Sequence, residues 1–331
     1  MDWADSKILL TGGTGSFGHA FASLLLERHG RQRLRIFSRD EWKQQRMAAA
    51  FGGRHPQIEF WIGDVRDPGR LEQAGAGCDV WIHAAALKQI PACEAHPLEA
   101  FKTNLTGTAN LLQAAARLRP RWVICLSTDK AVQPANVYGA SKLGAERLTV
   151  NAASSLAPAT RACVVRYGNV LGSRGSVVPE FQAREGRGAV SITDPRMTRF
   201  WIPQERAAAF VLRVPELARG GEILIPRTPS LRLLDLARIV APGQATETIG
   251  PRPGEKLHET LLSEEEAARA LELDDIYVIL PAAPDAAALS RFAGARRVPE
   301  GFRYTSDTNR DWWTAEQIRP FLGPDSLQSR A

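Results

Sequence analysis

Cysteine and lysine are scarce in this 331-residue chain, at 4 and 7 copies, and 35 of the 42 basic residues are arginine. The cysteines (Cys78, Cys93, Cys125, Cys163) form no C-x-x-C pair and fall in segments that read as core or helix. This argues against a zinc ribbon, a dithiol centre or a disulfide scaffold, and free thiols of this kind lead us to expect the cytoplasm. No apolar run approaches the roughly 18 residues of a membrane span, so no membrane partner is expected. The opening residues Met1-Asp2-Trp3-Ala4-Asp5-Ser6-Lys7 are acidic where a signal peptide would be basic, and Ile8-Leu9-Leu10 is too short for its apolar region. The histidines (His19, His29, His55, His83, His96, His258) have no metal-ligand spacing, and His258-Glu259 lacks the second histidine of a zinc helix because position 262 is Leu262. No metal is expected. There is no Walker phosphate loop, no G-x-S-x-G nucleophile turn, no internal repeat and no low-complexity linker.

What remains has the balance of an ordinary globular protein, 44% hydrophobic and 24% charged, with 36.2 kDa of chain for one large domain or two modest ones. The net charge of +6 and pI near 9.4 raise the question of a polyanionic partner. The basic residues are scattered, however, and form no stripe, so no nucleic acid is expected. With arginine as the general surface cation, each surviving lysine is a candidate for chemistry that arginine cannot do, because only lysine deprotonates readily when buried.

Runs at 8–11, 34–38, 58–63, 80–83, 122–126 and 163–167 read as strands, and 16–29, 40–51, 97–118 and 138–156 carry helical spacing. Strands alternating with helices predict an α/β fold, a doubly wound parallel sheet of Rossmann type with helices on both faces. After about residue 168, glycine and proline become frequent and the strands shorten, which predicts a smaller C-terminal substrate-binding lobe. The expected division is 1–168 for the dinucleotide-binding domain, with return segments around 198–226, and 169–197 with 227–331 for the lobe. Residues 264–270 read as one helix with an acidic first turn, Trp312-Trp313 as packed on the core, and the tail beyond Asp325 as frayed.

Thr11-Gly12-Gly13-Thr14-Gly15-Ser16-Phe17-Gly18 follows the first strand and opens the first helix. Glycines at that spacing let the backbone turn sharply and approach a pyrophosphate, which then sits on the helix N-terminus. The second strand ends in Phe37-Ser38-Arg39-Asp40-Glu41 with Lys43 one turn on. An acidic residue at that place holds the ribose hydroxyls of NAD, whereas Ser38 and Arg39 suit the 2′-phosphate of NADP. Asp40 and Glu41 serve either as ribose ligands or as the first turn of the next helix; NADP is the expectation. Asp64 and Val65 after the third strand, and Ala84, Ala85 and Ala86 after the fourth, are placed to meet adenine and ribose or to pack closely.

Ser127-Thr128-Asp129-Lys130 follows the fifth strand, and Tyr138 and Lys142 stand four apart on the next helix, hence on one face. A lysine ammonium near a phenol lowers its pKa and makes the tyrosine a usable base for a sugar hydroxyl. A plain surface pair is the alternative. Its position after the fifth strand favours the chemical role.

These segments resemble the extended short-chain dehydrogenase/reductase family from about Lys7 to Leu322. Within it, Ala84 to Lys88, Ser127 to Tyr138, Tyr167-Gly168-Asn169-Val170, Gly172 to Pro179, Asp194 with Met197 to Phe200, and Arg252 to Glu259 are similar to the inverting UDP-N-acetylglucosamine 4,6-dehydratases, which open pseudaminic acid-type surface-sugar pathways. Retaining sugar dehydratases usually carry Asp-Glu where this chain has Asp129-Lys130. Gln89 departs from the histidine expected in many relatives.

The resemblance implies Tyr138 as base for the 4-hydroxyl, Lys142 beneath it, and Thr128 or Ser127 on the oxygen at C4. It implies Lys130, its pKa depressed by burial, as acceptor of the C5 proton and Asp129 as acid for the departing 6-hydroxyl. A simple counter-ion role for Lys130 stays open. Asn104, Tyr167 and Asn169 join the implied cofactor contacts. Lys88, Val170, Arg174, Val177, Thr193 and Met197 join the implied substrate contacts with Asn169 and Glu255, and Arg199 and Arg252 are candidate diphosphate clamps or solvated arginines. A UDP-sugar substrate, a recycled NADP and a homo-oligomer (dimer or hexamer) follow from the same likeness. The rivals are a 4-epimerase or retaining dehydratase on another nucleotide sugar, and a non-catalytic dinucleotide-sensing regulator. The epimerase has no need of Asp129-Lys130, and the regulator can discard the tyrosine and lysine that are kept here.

Overall fold

The computed structural model describes residues 3, 5–29, 32–51, 55, 57–183, 188–282, 290, 292 and 294–322; the frayed tail expected beyond Asp325 lies outside them. Six parallel strands form the centre of the main sheet: β1 Lys7–Thr11, β2 Arg33–Ser38, β3 Ile58–Ile62, β4 Val80–His83, β5 Trp122–Thr128 and β6 Arg161–Tyr167. Their spatial order is β3-β2-β1-β4-β5-β6. The order reverses between β1 and β4, and in such sheets ligands bind outside the strand ends at that reversal.

Burial on both faces dictates the arrangement. Ile8 and Leu10 of β1 join a core with Phe21 and Leu25 of α1 (Ser16–His29) and Val211 of helix Gln204–Leu217. Leu9, pointing the other way, joins a second core with Leu71 of α3 (Pro68–Gly75), Trp81 and Leu111. The second helix, α2, is Glu41–Ala50.

The expected helix 97–118 is divided. After α4 (Ile90–Ala95) come α5 (Pro97–Phe101), a π-helical turn at Lys102–Thr106, and α6 (Gly107–Leu118). The long helix α7, Val137–Leu156, carries Tyr138 and Lys142.

The chain beyond β6 is shared differently from the expected division. Strand Thr198–Ile202 pairs with Asn169–Val170 and Ser230–Arg232 in a small sheet of the lobe, while helix Gln204–Leu217 packs on α1 and strand Ile223–Pro226 extends the main sheet beside β6. Ala270–Glu272, Ile276–Ile279 and Arg296–Arg297 also join the main sheet, as antiparallel strands taken from the stretch assigned to the lobe. The helix expected over 264–270 is therefore shorter: Glu264–Ala267, closed by a capping box between Ser263 and Glu266. Beyond it, pairing with Ile276–Ile279 buries Ala270 and Leu271 and overrides the helical pattern.

The lobe has its own core of Leu171, Phe181, Trp201, Leu231, Leu236 and Ile318, on which Trp313 packs. Trp312 stays 37% exposed, contrary to expectation. A fully buried bridge ties lobe to sheet: Arg166 of β6 bonds Glu146 of α7 at 2.6 Å and Glu266 at 2.8 Å. Among the described residues no helix is long and apolar enough to cross a membrane, and no three metal-binding side chains cluster.

Candidate active site

A cavity of about 950 Å³ opens over the C-terminal ends of β1, β4 and β5 and is closed by the lobe. Its floor is the glycine turn. Gly12 has φ +66°, and a β-carbon there would lie 2.7 Å from Cα and N of Ala85. Gly18 in α1 sits so close to Gly13 that a β-carbon would come within 2.0 Å of its carbonyl oxygen. The turn thus runs against the loop after β4 and aims the free N–H groups of α1 into the cavity. Gly12, Gly15, Ser16, Phe17, Lys43, Ala84, Ala85 and Ala86 all line it. A pyrophosphate fits this cradle, whose close approach to Ala84 and Ala85 any side chain at Gly12 would break.

At the end of β2 the carboxylates are committed elsewhere. Asp40 caps α2 by accepting from the Lys43 backbone N–H at 3.0 Å, and its other oxygen pairs with Lys43 Nζ at 2.7 Å. Ser38 is bound by the Gln44 side chain at 3.0 Å. Arg39 is left half exposed, 3.7 Å from Asp64. Asp64 is engaged by Arg66 at 2.7 Å, and Val65 packs against Gly107.

Asn104 stands behind the site rather than in it. Widened by the π-helical turn, the helix directs its amide at both backbone groups of Leu87 (2.8 Å each) and at Ser141 Oγ (2.9 Å). It fixes the loop that carries Lys88. Thr14 is buried, and its carbonyl accepts from the Arg174 guanidinium, whose backbone N–H reaches Ser16 Oγ at 3.1 Å. Arg174 therefore straps the lobe to the glycine turn while it lines the same cavity.

The reacting end is built from β5 and α7. Thr128 ends the strand, a 3₁₀ turn at Asp129–Ala131 follows, and Asn136 caps α7 by accepting from Gly139 N at 2.8 Å. Lys130 Nζ lies 3.0 Å from Asp129 Oδ1, 3.1 Å from Asn169 Oδ1 and 3.4 Å from Glu259 Oε1. Burial opposes its charge, but the two carboxylates overcome this and hold its pKa above the ordinary lysine value. The depressed pKa expected for Lys130 is thus overturned: in the resting site it is an ammonium. Asp129 is wholly buried; its Oδ1 accepts from Thr128 Oγ1 at 2.9 Å, and its Oδ2 has no partner among the described residues. The buried hydroxyl of Ser127 is likewise unpartnered.

Tyr138 is also corrected. Burial pushes the phenol up to about 12, against which the Lys130 charge and a hydrogen bond with Thr128 act. Lys130 is thus a cation acting on the phenol from the 129–131 turn. Burial pulls the Lys142 pKa down, with Cys125 and Glu146 opposing. Tyr167, Asn169, Val170, Val177, Thr193, Arg252 and Glu255 line the cavity with Lys88, which bonds Ser173 at 3.2 Å. Two expected substrate contacts differ. Met197 is in the lobe core and accepts from Thr193 and Arg199 through its sulfur. Arg199 lines the cavity, but its donors go to Thr198 O (2.7 Å) and Leu257 O (3.1 Å), leaving little for a diphosphate. Arg252, by contrast, keeps an exposed guanidinium. Glu259, 3% exposed beside Lys130, is the residue that motif reading passed over.

This combination of fold, glycine turn and Thr-Tyr-Lys set defines an extended short-chain dehydrogenase/reductase. A model of the polysaccharide biosynthesis protein family matches residues 8–281, and the chain belongs to that family. It is 43% identical over 322 residues to the UDP-N-acetylglucosamine 4,6-dehydratase (inverting) of Campylobacter jejuni, covering 94% of this chain and 96% of the relative. It is 42% identical over 287 residues to a UDP-glucose 4-epimerase of Rickettsia canadensis, covering 84% and 83%. The solved structure of Pen from Bacillus thuringiensis superposes with TM-score 0.88 at 33% identity, over 99% of this chain and all of that one.

Proposed function

We propose that the protein is an NADP-dependent nucleotide-sugar 4,6-dehydratase that converts UDP-N-acetylglucosamine to the 4-keto-6-deoxy sugar with inversion at C5, in surface-sugar synthesis of the pseudaminic acid type. The observation that carries this reading is the Asp129–Lys130 pair, 3.0 Å apart, with Lys130 in the cavity wall beside Tyr138 and Asp129 buried directly behind it. An epimerase needs a tyrosine base and a hydride acceptor at C4, but has no use for a second acid and base. Likeness to the Campylobacter enzyme supports the substrate. Four buried free thiols suit the reducing cytoplasm.

When bound, the dinucleotide supplies a reversible hydride acceptor, loaded from C4 and emptied at C6. Everything else falls to side chains. Tyr138, held towards its ionised form by Lys130 and Thr128, accepts the proton of the 4-hydroxyl. The ketone formed at C4 acidifies the C5 hydrogen. One proton passed from Lys130 Nζ to Asp129 across their hydrogen bond turns the ion pair into a neutral amine and a neutral acid. The amine takes the C5 proton while the acid protonates the 6-hydroxyl, which leaves as water, and the ion pair is restored. Both charges of the pair are consumed and regenerated within one turnover. Arg252 meets the diphosphate, and Arg39 meets the 2′-phosphate of the cofactor. Delivery of a proton to the opposite face of C5, balanced by release of the one that Tyr138 took from the 4-hydroxyl, completes the inversion and returns every side chain to its starting state.

Incubation with UDP-N-acetylglucosamine and catalytic NADP, followed by mass spectrometry, tests the proposal. Loss of one water is expected. A UDP-hexosamine epimer of unchanged mass would replace this reading with the epimerase.

A further inference from the structure

Lys130 is held by two carboxylates, and only one of them comes from its own loop. Glu259, just ahead of strand Thr260–Leu262, places Oε1 3.4 Å from Lys130 Nζ and 3.8 Å from Arg199 Nε. Its backbone N–H bonds Ser306 Oγ at 2.9 Å and its carbonyl accepts from Ser306 N at 2.9 Å, so the residue is fixed from both ends. The carboxylate is buried in the cavity wall, and Oε2 has no partner among the described residues. Burying a second carboxylate is costly unless it is paired, and its pairs here are the reacting lysine and an arginine whose other donors are tied down.

We propose that Glu259 is the second carboxylate of the reaction centre, a positioning residue that sets how tightly Lys130 holds a proton. A hydrogen next to a ketone is a weak acid, and its removal is faster the stronger the base. Asp129 cannot strengthen Lys130 throughout, because it gives up its charge on taking the ammonium proton. Glu259 keeps its charge and stabilises the ammonium formed when Lys130 takes the C5 proton. The charged groups acting on Lys130 are Asp129 from the turn after β5, Glu259, and Arg199 from strand Thr198–Ile202; Lys88, Tyr138 and Lys256 feel its charge in turn. Arg199 tempers Glu259, so the neighbourhood pairs two carboxylates with two cations before Lys256 is counted.

The role in C5 abstraction rests on the dehydratase reading; the control of Lys130 does not. Seven lysines make the Nζ resonances few enough to titrate individually by nitrogen-detected or proton-correlated NMR, with Lys130→Met assigning the signal. In Glu259→Gln the Lys130 midpoint should fall by roughly one to three pH units, and deuterium entry at C5 of UDP-N-acetylglucosamine should slow by about ten- to a hundredfold. Glu259→Asp should recover part of both. A melting curve unchanged from the parent shows that the variant is folded; should Glu259→Gln fail to fold, Glu259→Asp, with its longer gap to Lys130, must still show the smaller downward shift. A Lys130 midpoint that does not move overturns the proposal. Absence of C5 exchange in the unaltered protein overturns the dehydratase reading alone, since the midpoint still decides the role of Glu259.

Discussion

Gly139 lies directly against the carbonyl of Lys130: a β-carbon at residue 139 would stand 2.1 Å from that oxygen. The first turn of α7 can press onto the 129–131 turn only because residue 139 has no side chain, and this contact brings Tyr138 within reach of the Lys130 charge. Backbone cannot yield as a flexible side chain does. Gly139→Ala should therefore separate Tyr138 from Lys130 and lower kcat by about a hundredfold or more, as displacements near 1 Å do at reacting centres. Nucleotide affinity, measured by calorimetry with UDP, should change little.

The acid–base pair makes a second prediction. Lys130→Ala leaves Asp129 buried with no ammonium beside it, and release of water should fall by at least about a hundredfold. A Lys130→Ala protein that releases the 6-hydroxyl at the parent rate would remove Lys130 from the base role. Hydride transfer to the cofactor, followed at its absorbance band in a single turnover, should be affected less.

On the proposed reading, Arg39 carries the choice of NADP over NAD. It is half exposed and Asp64, its neighbour at 3.7 Å, is already taken by Arg66. Arg39→Ala should weaken NADP binding by about tenfold or more and leave NAD binding nearly unchanged. Equal loss for both dinucleotides would place Arg39 outside the 2′-phosphate site.

Acid should unfold the protein partly through His83. This ring is buried between Thr11 (2.7 Å) and Thr108 (3.2 Å), and burial, reinforced by Lys142, lowers its pKa to about 3. The unfolded chain binds the proton below its ordinary value of 6.5 while the folded chain does not. Stability from the neutral ring is thus complete above that value and lost as pH falls from about 6.5 towards about 3, at up to about 1.4 kcal/mol per pH unit. Urea midpoints between pH 7 and pH 5 should fall less steeply in His83→Gln.

The Arg166 bridge offers a test of stability apart from chemistry. Arg166 is the shared cation of two buried carboxylates, and removing it strands both, so Arg166→Met should cost about 3–5 kcal/mol. The loss should show in denaturant midpoints, with the rate per folded molecule less affected.

How far the sequence discloses this site follows from distance along the chain. The glycine turn and the Tyr138–Lys142 helix were legible because each is written in one short segment whose geometry is local. Asp40 was ambiguous between ribose ligand and helix cap; the hydrogen bond to Lys43 N resolved it. Lys130 is the opposite case. Burial alone suggests a lowered lysine, but the adjacent Asp129 and, brought from the lobe by folding, Glu259 act together on its charge, and the two carboxylates reverse the sign of the shift. Arg199 and Met197 sat in a suggestive motif, yet one spends its donors on backbone and the other packs in the lobe core. In the main sheet the local periodicity of 264–270 lost to strand pairing with Ile276–Ile279.

The central claim is that Asp129 and Lys130 work as acid and base on one sugar. Incubation with UDP-N-acetylglucosamine in heavy water, read by proton and mass spectra, addresses it directly. Loss of one water, deuterium at C5 with inverted configuration, and no accumulation of reduced cofactor are expected. A sugar recovered with neither water lost nor deuterium at C5 would contradict it.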